Sequence, residues 1–178
     1  MIVSPQTILS GKFSPKRVVY NLDDRELNEP EGVGFDLRLD SLLKITNGSE
    51  AGIGIKTRQT PESSPVEPVH NIFHLHKHTS YLATTMEVFD LPQTICAQFF
   101  PRSTLFRSGV VFQSSILPPG YKGPMTFMLY NSTQNNFFIE RGARFSHALF
   151  MTVDGDVNLY RGQWNGGRIS SPDPEQQV

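Results

Sequence analysis

A chain of 178 residues with a formal charge of −1 is long enough for one hydrophobic core, and it carries no global electrostatic footprint for duplex nucleic acid or an anionic membrane. Any phosphate site must be local. One cysteine, Cys96, excludes an intramolecular disulfide, and the stretch MIVSPQTILSGKF lacks the apolar run of a signal peptide or membrane span, so the simple reading is a cytoplasmic protein, host or viral.

In chain order, Ser4 followed by Pro5 is a helix start signature, and Gly11 stops the helix after about two turns. Residues 14–30 are polar and rich in turn formers. VGFDLRLDSLLKI then alternates Phe35, Leu37 and Leu39 against Asp36, Arg38 and Asp40, the period of a half-buried strand. Residues 47–70 hold Gly, Pro, Ser and charge without periodicity and are expected to form an exposed excursion.

After His70 the strand signals are dense. NIFHLH, SYLATTMEVFDLP, TICAQFFP, GVVFQSS, PMTFMLYN, NNFFIERG and ARFSHALFMTV are short, rich in β-branched and aromatic residues, and punctuated by Pro, Gly or Asn. This spacing predicts a mainly β sandwich or barrel with a short N-terminal helix, its core built on many of the 13 Phe residues. The division expected is one β domain over residues 1–160 and a flexible Gly-rich tail over 161–178, YRGQWNGGRISSPDPEQQV from Tyr160 onward.

Six stretches stand in a telling order: VGFDLRLD, HLHKHTSYLATTMEVFDLP, FPRSTLFRSG, PPGYKGPMTFMLYN, ERGARFSHALF and YRGQWNGG. Together they resemble the dCTP deaminase family of the dUTPase superfamily, from about Ile8 to Arg168, most weakly across residues 47–70. The resemblance implies a distorted β-barrel or jelly-roll domain of the dUTPase-like type. It also implies a homotrimer that binds a deoxyribonucleoside triphosphate, dCTP or dUTP, with Mg2+ at subunit boundaries; no zinc, duplex nucleic acid or membrane is expected.

Carried over by position, the resemblance gives Arg102, Ser103 and Thr104 to the phosphates and brings Arg107 to the reaction centre from a neighbouring subunit. Guanidinium forks and hydroxyls at a loop suit phosphate oxygens. Asp36 would hold the metal through water, and Tyr121 would lie beneath the sugar. His147 stands at a position where the family carries glutamine. Tyr160, Gln163 and Arg168 match or adjoin tail residues that fold over the triphosphate.

The chain also departs from the family. The carboxylate expected three residues before Tyr121 is Pro118, and the glutamate that activates water in the deaminases is Met128. Neither residue accepts a proton, and loss of a general base costs about 10² to 10⁴ in rate. Met128 reads most simply as a core residue, and Glu87 as structural. Three readings follow: a dCTP deaminase-like protein that deaminates dCTP, an inactive nucleotide-binding or trimeric interaction protein, and a dUTP pyrophosphohydrolase. His74, His76 and His78 alternate along one predicted strand with His70 nearby, a pattern that favours a solvated or subunit-facing surface over a metal site.

Overall fold

The computed structural model describes residues 1–46, 48 and 50–177. It begins with β1 (Ile2–Val3) and α1 (Pro5–Leu9), where the Ser4 hydroxyl accepts from the Thr7 N–H at 3.3 Å and Pro5 fills the first helical position. β2 (Val19–Tyr20) leads to α2 (Asp24–Asn28), capped by Asp23, whose carboxylate accepts from the Arg25 N–H at 3.1 Å. This helix lies in the stretch read as polar and turn-rich. Five residues are too few to display a helical period.

The long strand β3 (Gly34–Ile45) is followed by three short ones, β4 (Gly52–Ile53), β5 (Thr57–Gln59) and β6 (Ser63–Pro65), all within the expected excursion. Positions 47 and 49 of that excursion lie outside the described residues. Next come β7 (Ile72–Leu75), β8 (Thr79–Asp90) and β9 (Ile95–Pro101). A short helix, α3 (Ser103–Arg107), separates β9 from β10 (Val110–Gln113), which pairs with β11 (Lys122–Asn131). β12 (Phe137–Glu140), β13 (Arg144–Thr152) and, near the C-terminus, β14 (Glu175–Gln176) complete the order.

All strand pairings are antiparallel. The main sheet runs β1-β13-β3-β8-β11-β10, with β2 on β8, β6 on β3 and β9 on β13. β12 pairs with β7, and β14-β5-β4 form a third sheet that joins the tail to the excursion. The result is a mainly β, curled antiparallel architecture of the class that the strand spacing predicts. Among the described residues, no helix is long and apolar enough to cross a membrane.

Inside the curl the Phe rings form a connected chain. Phe127 sits 4.9 Å, centroid to centroid, from both Phe99 and Phe112, and 5.8 Å from Phe145; Phe89 links Phe99 at 5.6 Å to Phe150 at 6.3 Å. Edge-on and tilted rings at these distances gain attraction beyond burial alone. On β11 the two-residue period sends Met125, Phe127 and Leu129 inward, and leaves Thr126, Met128 and Tyr130 half-buried on the other face. Met128 is therefore not a core residue: it stands in register with Gln113 on β10 and Leu82 on β8.

One acid is wholly internal. Glu87 is 0% exposed and accepts from both the backbone N–H and Nε of Arg38, each at 2.8 Å. Burial pushes its carboxyl up, against the opposing pull of Arg38. Its role is structural, as read from sequence.

Removing the ring at the centre of the aromatic chain leaves a cavity that the stiff sheet cannot close. Phe127→Ala is expected to lower unfolding free energy by about 3–5 kcal/mol, measured by urea denaturation.

Candidate functional site

The chemistry-bearing residues gather in two places. The first is centred on Asp36, which the alternation on β3 marks as outward but which is only 3% exposed. Arg102, at the N-cap of α3, donates through Nη1 to both its oxygens, at 2.9 and 2.7 Å. Arg144 Nη1 donates at 3.2 Å, and His147 Nδ1 lies 2.9 Å away, directly across the β3–β13 ladder. A carboxylate only accepts, so Nδ1 carries the proton. Gly34 makes room for this ring, since a Cβ there would come within 2.7 Å of His147 Nε2.

A second buried acid completes the cluster. Glu26, 1% exposed, accepts from the Asp36 N–H at 3.1 Å and from Arg25 Nη1 at 2.6 Å. Burial pushes the Asp36 carboxyl up, but the bonds from His147 and Arg102 outweigh it and hold it below the ordinary carboxylate range. The acids are thus inside while the arginines remain part-exposed at their ends, with side-chain exposures of 43% for Arg102 and 39% for Arg144. The accessible rim is cationic.

Ser103, Thr104 and Arg107 are exposed on α3, beside this rim, on a helix rather than the loop expected from the sequence. Arg107 lies 5.9 Å from the Phe106 ring and makes no ion pair among the described residues. Asp36 does not fit the part of a magnesium ligand. Magnesium demands an accessible oxygen and retains its waters, whereas both Asp36 oxygens are taken by cationic or N–H donors. What Asp36 does here is aim Arg102.

The second place is a cavity of about 370 Å³, mainly apolar, beside the β10–β11 hairpin and lined in part by Leu82, Ile116, Pro118, Tyr121, Met125 and Trp164. Tyr121 is 5% exposed; its hydroxyl donates to the Pro124 carbonyl at 2.6 Å and its ring meets Tyr160 edge-on at 5.5 Å. Burial, with the neighbouring Tyr160, pushes its hydroxyl up to about 12, so it stays protonated. Tyr160 and Arg168 also line the cavity, whereas Gln163 turns to Glu175, donating through Nε2 at 2.5 Å.

The tail reaches this cavity by a backbone contact that only glycine permits. The Gly166 N–H donates to the Lys122 carbonyl at 2.7 Å, and a Cβ on Gly123 would lie 2.7 Å from the Gly166 carbonyl carbon. Lys122 N–H donates to Asn165 Oδ1 at 2.9 Å, and the Ser171 N–H to Thr60 Oγ1 at 2.7 Å. The tail is therefore bonded to the hairpin and the excursion together.

No residue of the Asp36 cluster lines this cavity, and the cavity lining includes no Asp, Glu, His or Cys. Glu87 and Glu140 lie elsewhere, in the core and at the end of β12. Sequence reasoning missed Arg25, Glu26 and Arg144; the only sign of Arg144 was its place in the ERGARFSHALF stretch. β7 ends at Leu75, and His76 and His78 fall in the following turn, so the histidines do not share one strand. Among the described residues, no group of three or more His, Cys, Asp or Glu is placed to hold a metal.

The lowered carboxyl of Asp36 stabilises the fold above its unfolded value of about 3.9 and loses that contribution as pH falls through its still lower folded value. Asp36→Asn is expected to cost about 2–4 kcal/mol at pH 7. The gap between variant and parent should narrow below pH 4, followed by urea denaturation across pH.

Comparison with known proteins agrees with this architecture. A family model described as dCTP deaminase-like matches residues 2–153. A probable deoxyuridine 5′-triphosphate nucleotidohydrolase of Methanothermobacter thermautotrophicus is 30% identical over 134 residues, 75% of this chain and 85% of that protein. A dCTP deaminase of Thermococcus kodakarensis is 27% identical over 136 residues, 76% of this chain and 78% of that one. The solved 2′-deoxycytidine 5′-triphosphate deaminase of Agrobacterium tumefaciens shares the fold, with a TM-score of 0.63 at 19% identity over 84% of this chain; the match spans only 46% of that longer chain. On the match of residues 2–153 and the curled antiparallel sheet that carries them, the chain belongs to the dCTP deaminase-like family of the dUTPase superfamily.

Proposed function

We propose that the protein binds a deoxyribonucleoside triphosphate of the dCTP or dUTP class at the boundaries of a homotrimer. The observation that carries this reading is the separation, within one chain, of a cationic rim from an apolar ring cavity. A nucleoside triphosphate needs both, and a neighbouring copy can supply the missing half. Arg102, Ser103 and Thr104 would meet the phosphates, with Arg107 beside them. Tyr121 would form the floor under the sugar, and Tyr160, Arg168 and the glycines would close over it. Magnesium would arrive with the triphosphate, neutralising part of its charge, and Asp36 would keep Arg102 in place.

Binding without turnover is supported by the cavity itself, because its lining carries Pro118 and no Asp, Glu or His to act as a general base. A second reading, deamination of dCTP or hydrolysis of dUTP, is favoured by the likeness to archaeal proteins bearing those names. It requires a base from a neighbouring subunit.

Incubation of the purified protein with dCTP, dUTP and magnesium, followed by chromatography, separates the two. Unchanged nucleotide with saturable binding is expected; dUTP formed from dCTP, or any monophosphate, would establish the second reading. Arg102→Gln should weaken triphosphate binding about tenfold or more by calorimetry, as the loss of a charged phosphate contact. The double variant Pro118→Asp, Met128→Glu should gain measurable turnover if only the carboxylates are missing.

A further inference from the structure

The ring cavity has a neighbour. A second chamber of about 480 Å³ adjoins it, sharing Ser115, Ile116, Pro118, Tyr160 and Trp164 in its lining. Its charged lining consists of Arg58, from β5, and Arg161, at the start of the tail. No acidic side chain lines either chamber.

The way the tail is bonded leaves Arg58 near an acid but without a salt bridge to it. Glu175 stands directly opposite it on β14. The Glu175 carboxylate is, however, taken by Gln163 Nε2 at 2.5 Å and Arg168 Nη1 at 3.1 Å, with a further bond from Arg168 Nη2. Arg58 makes no salt bridge among the described residues, and its Nε is buried with no acceptor. A buried donor without a partner is costly, and two guanidinium groups on one chamber with no acid present a field that favours an anion.

We infer that this chamber is an anion subsite, in which Arg58 and Arg161 hold the phosphate of a phosphorylated nucleoside whose ring lies in the adjoining apolar cavity. The inference deepens the nucleotide reading, on which it rests, by adding a phosphate contact made within one chain. The Arg102 cluster lines neither chamber, so a ligand with a single phosphate binds here without a neighbouring subunit's loop. Arg58 comes from the stretch least similar to the family, and it would give this chain a preference of its own for nucleoside monophosphates.

Trp164 is the only tryptophan and lines both chambers, so its fluorescence reports occupancy of either. Titration of the parent with dCMP and dUMP, and with deoxycytidine and deoxyuridine, should show the monophosphates binding about tenfold or more tightly than the nucleosides. In Arg58→Gln and in Arg161→Gln that advantage should vanish while nucleoside affinity stays within about twofold. Arg58→Lys, which keeps the charge, should retain part of it. Thermal unfolding of each variant guards against loss of fold, and Arg161, being exposed, is the safer of the two positions. If both Gln variants keep the monophosphate advantage, the subsite is refuted while the nucleotide reading stands. If neither nucleosides nor nucleotides, triphosphates included, bind the parent, that reading falls and the subsite with it.

Discussion

The ionised carboxylate of Asp36, buried and shared among Arg102, Arg144 and His147, is the interaction on which the cationic end of the molecule depends. A lone buried charge of this kind would neutralise itself or unfold its surroundings. Here donors from α3 and β13 converge on it, and Glu26 of α2 braces the Asp36 backbone, so three elements are tied to β3 at a single point. Acids inside and guanidinium ends outside produce local positive charge on a chain whose overall charge is close to zero.

At the other end of the site the controlling constraint is steric. Gly123 and Gly166 approach so closely that no side chain could stand between hairpin and tail, and the main-chain bonds that result carry Tyr160 and Trp164 onto the ring cavity. The excursion then bonds to the same tail through β5 and β14, which places Arg58 beside a segment more than a hundred positions away in sequence. Apolar space, a protonated tyrosine hydroxyl and arginines with no acid in the lining are the features that the proposed recognition of a ring bearing an anion would use. They are less suited to moving protons, since the residues lining this space accept none.

Much of the fold was legible because its signals are local. The Ser4–Pro5 start, the alternation on β3 and the Phe-rich runs from β7 to β13 each follow from a backbone period or a fixed φ, and each element formed close to where it was expected. Signals that were too short misled. α2 and α3 have five residues apiece, and the three alternating histidines looked like one strand because the turn after Leu75 is written in no residue that forbids extension. Met128 was read as core on hydrophobicity alone, although its position in the period of β11 already assigned it to the face opposite Phe127.

By itself the sequence determined the β architecture, the family resemblance and the absence of carboxylates at Pro118 and Met128, all properties of residue type at local spacing. Only the tertiary structure decided that Asp36 would be buried among arginines, that Arg102 and its neighbours on α3 would stand apart from the ring cavity, and that Arg58 would share a chamber with Arg161. Those outcomes turn on strand register and on long-range contacts between segments far apart in the chain. A pattern read along the chain holds no record of what will lie across from it.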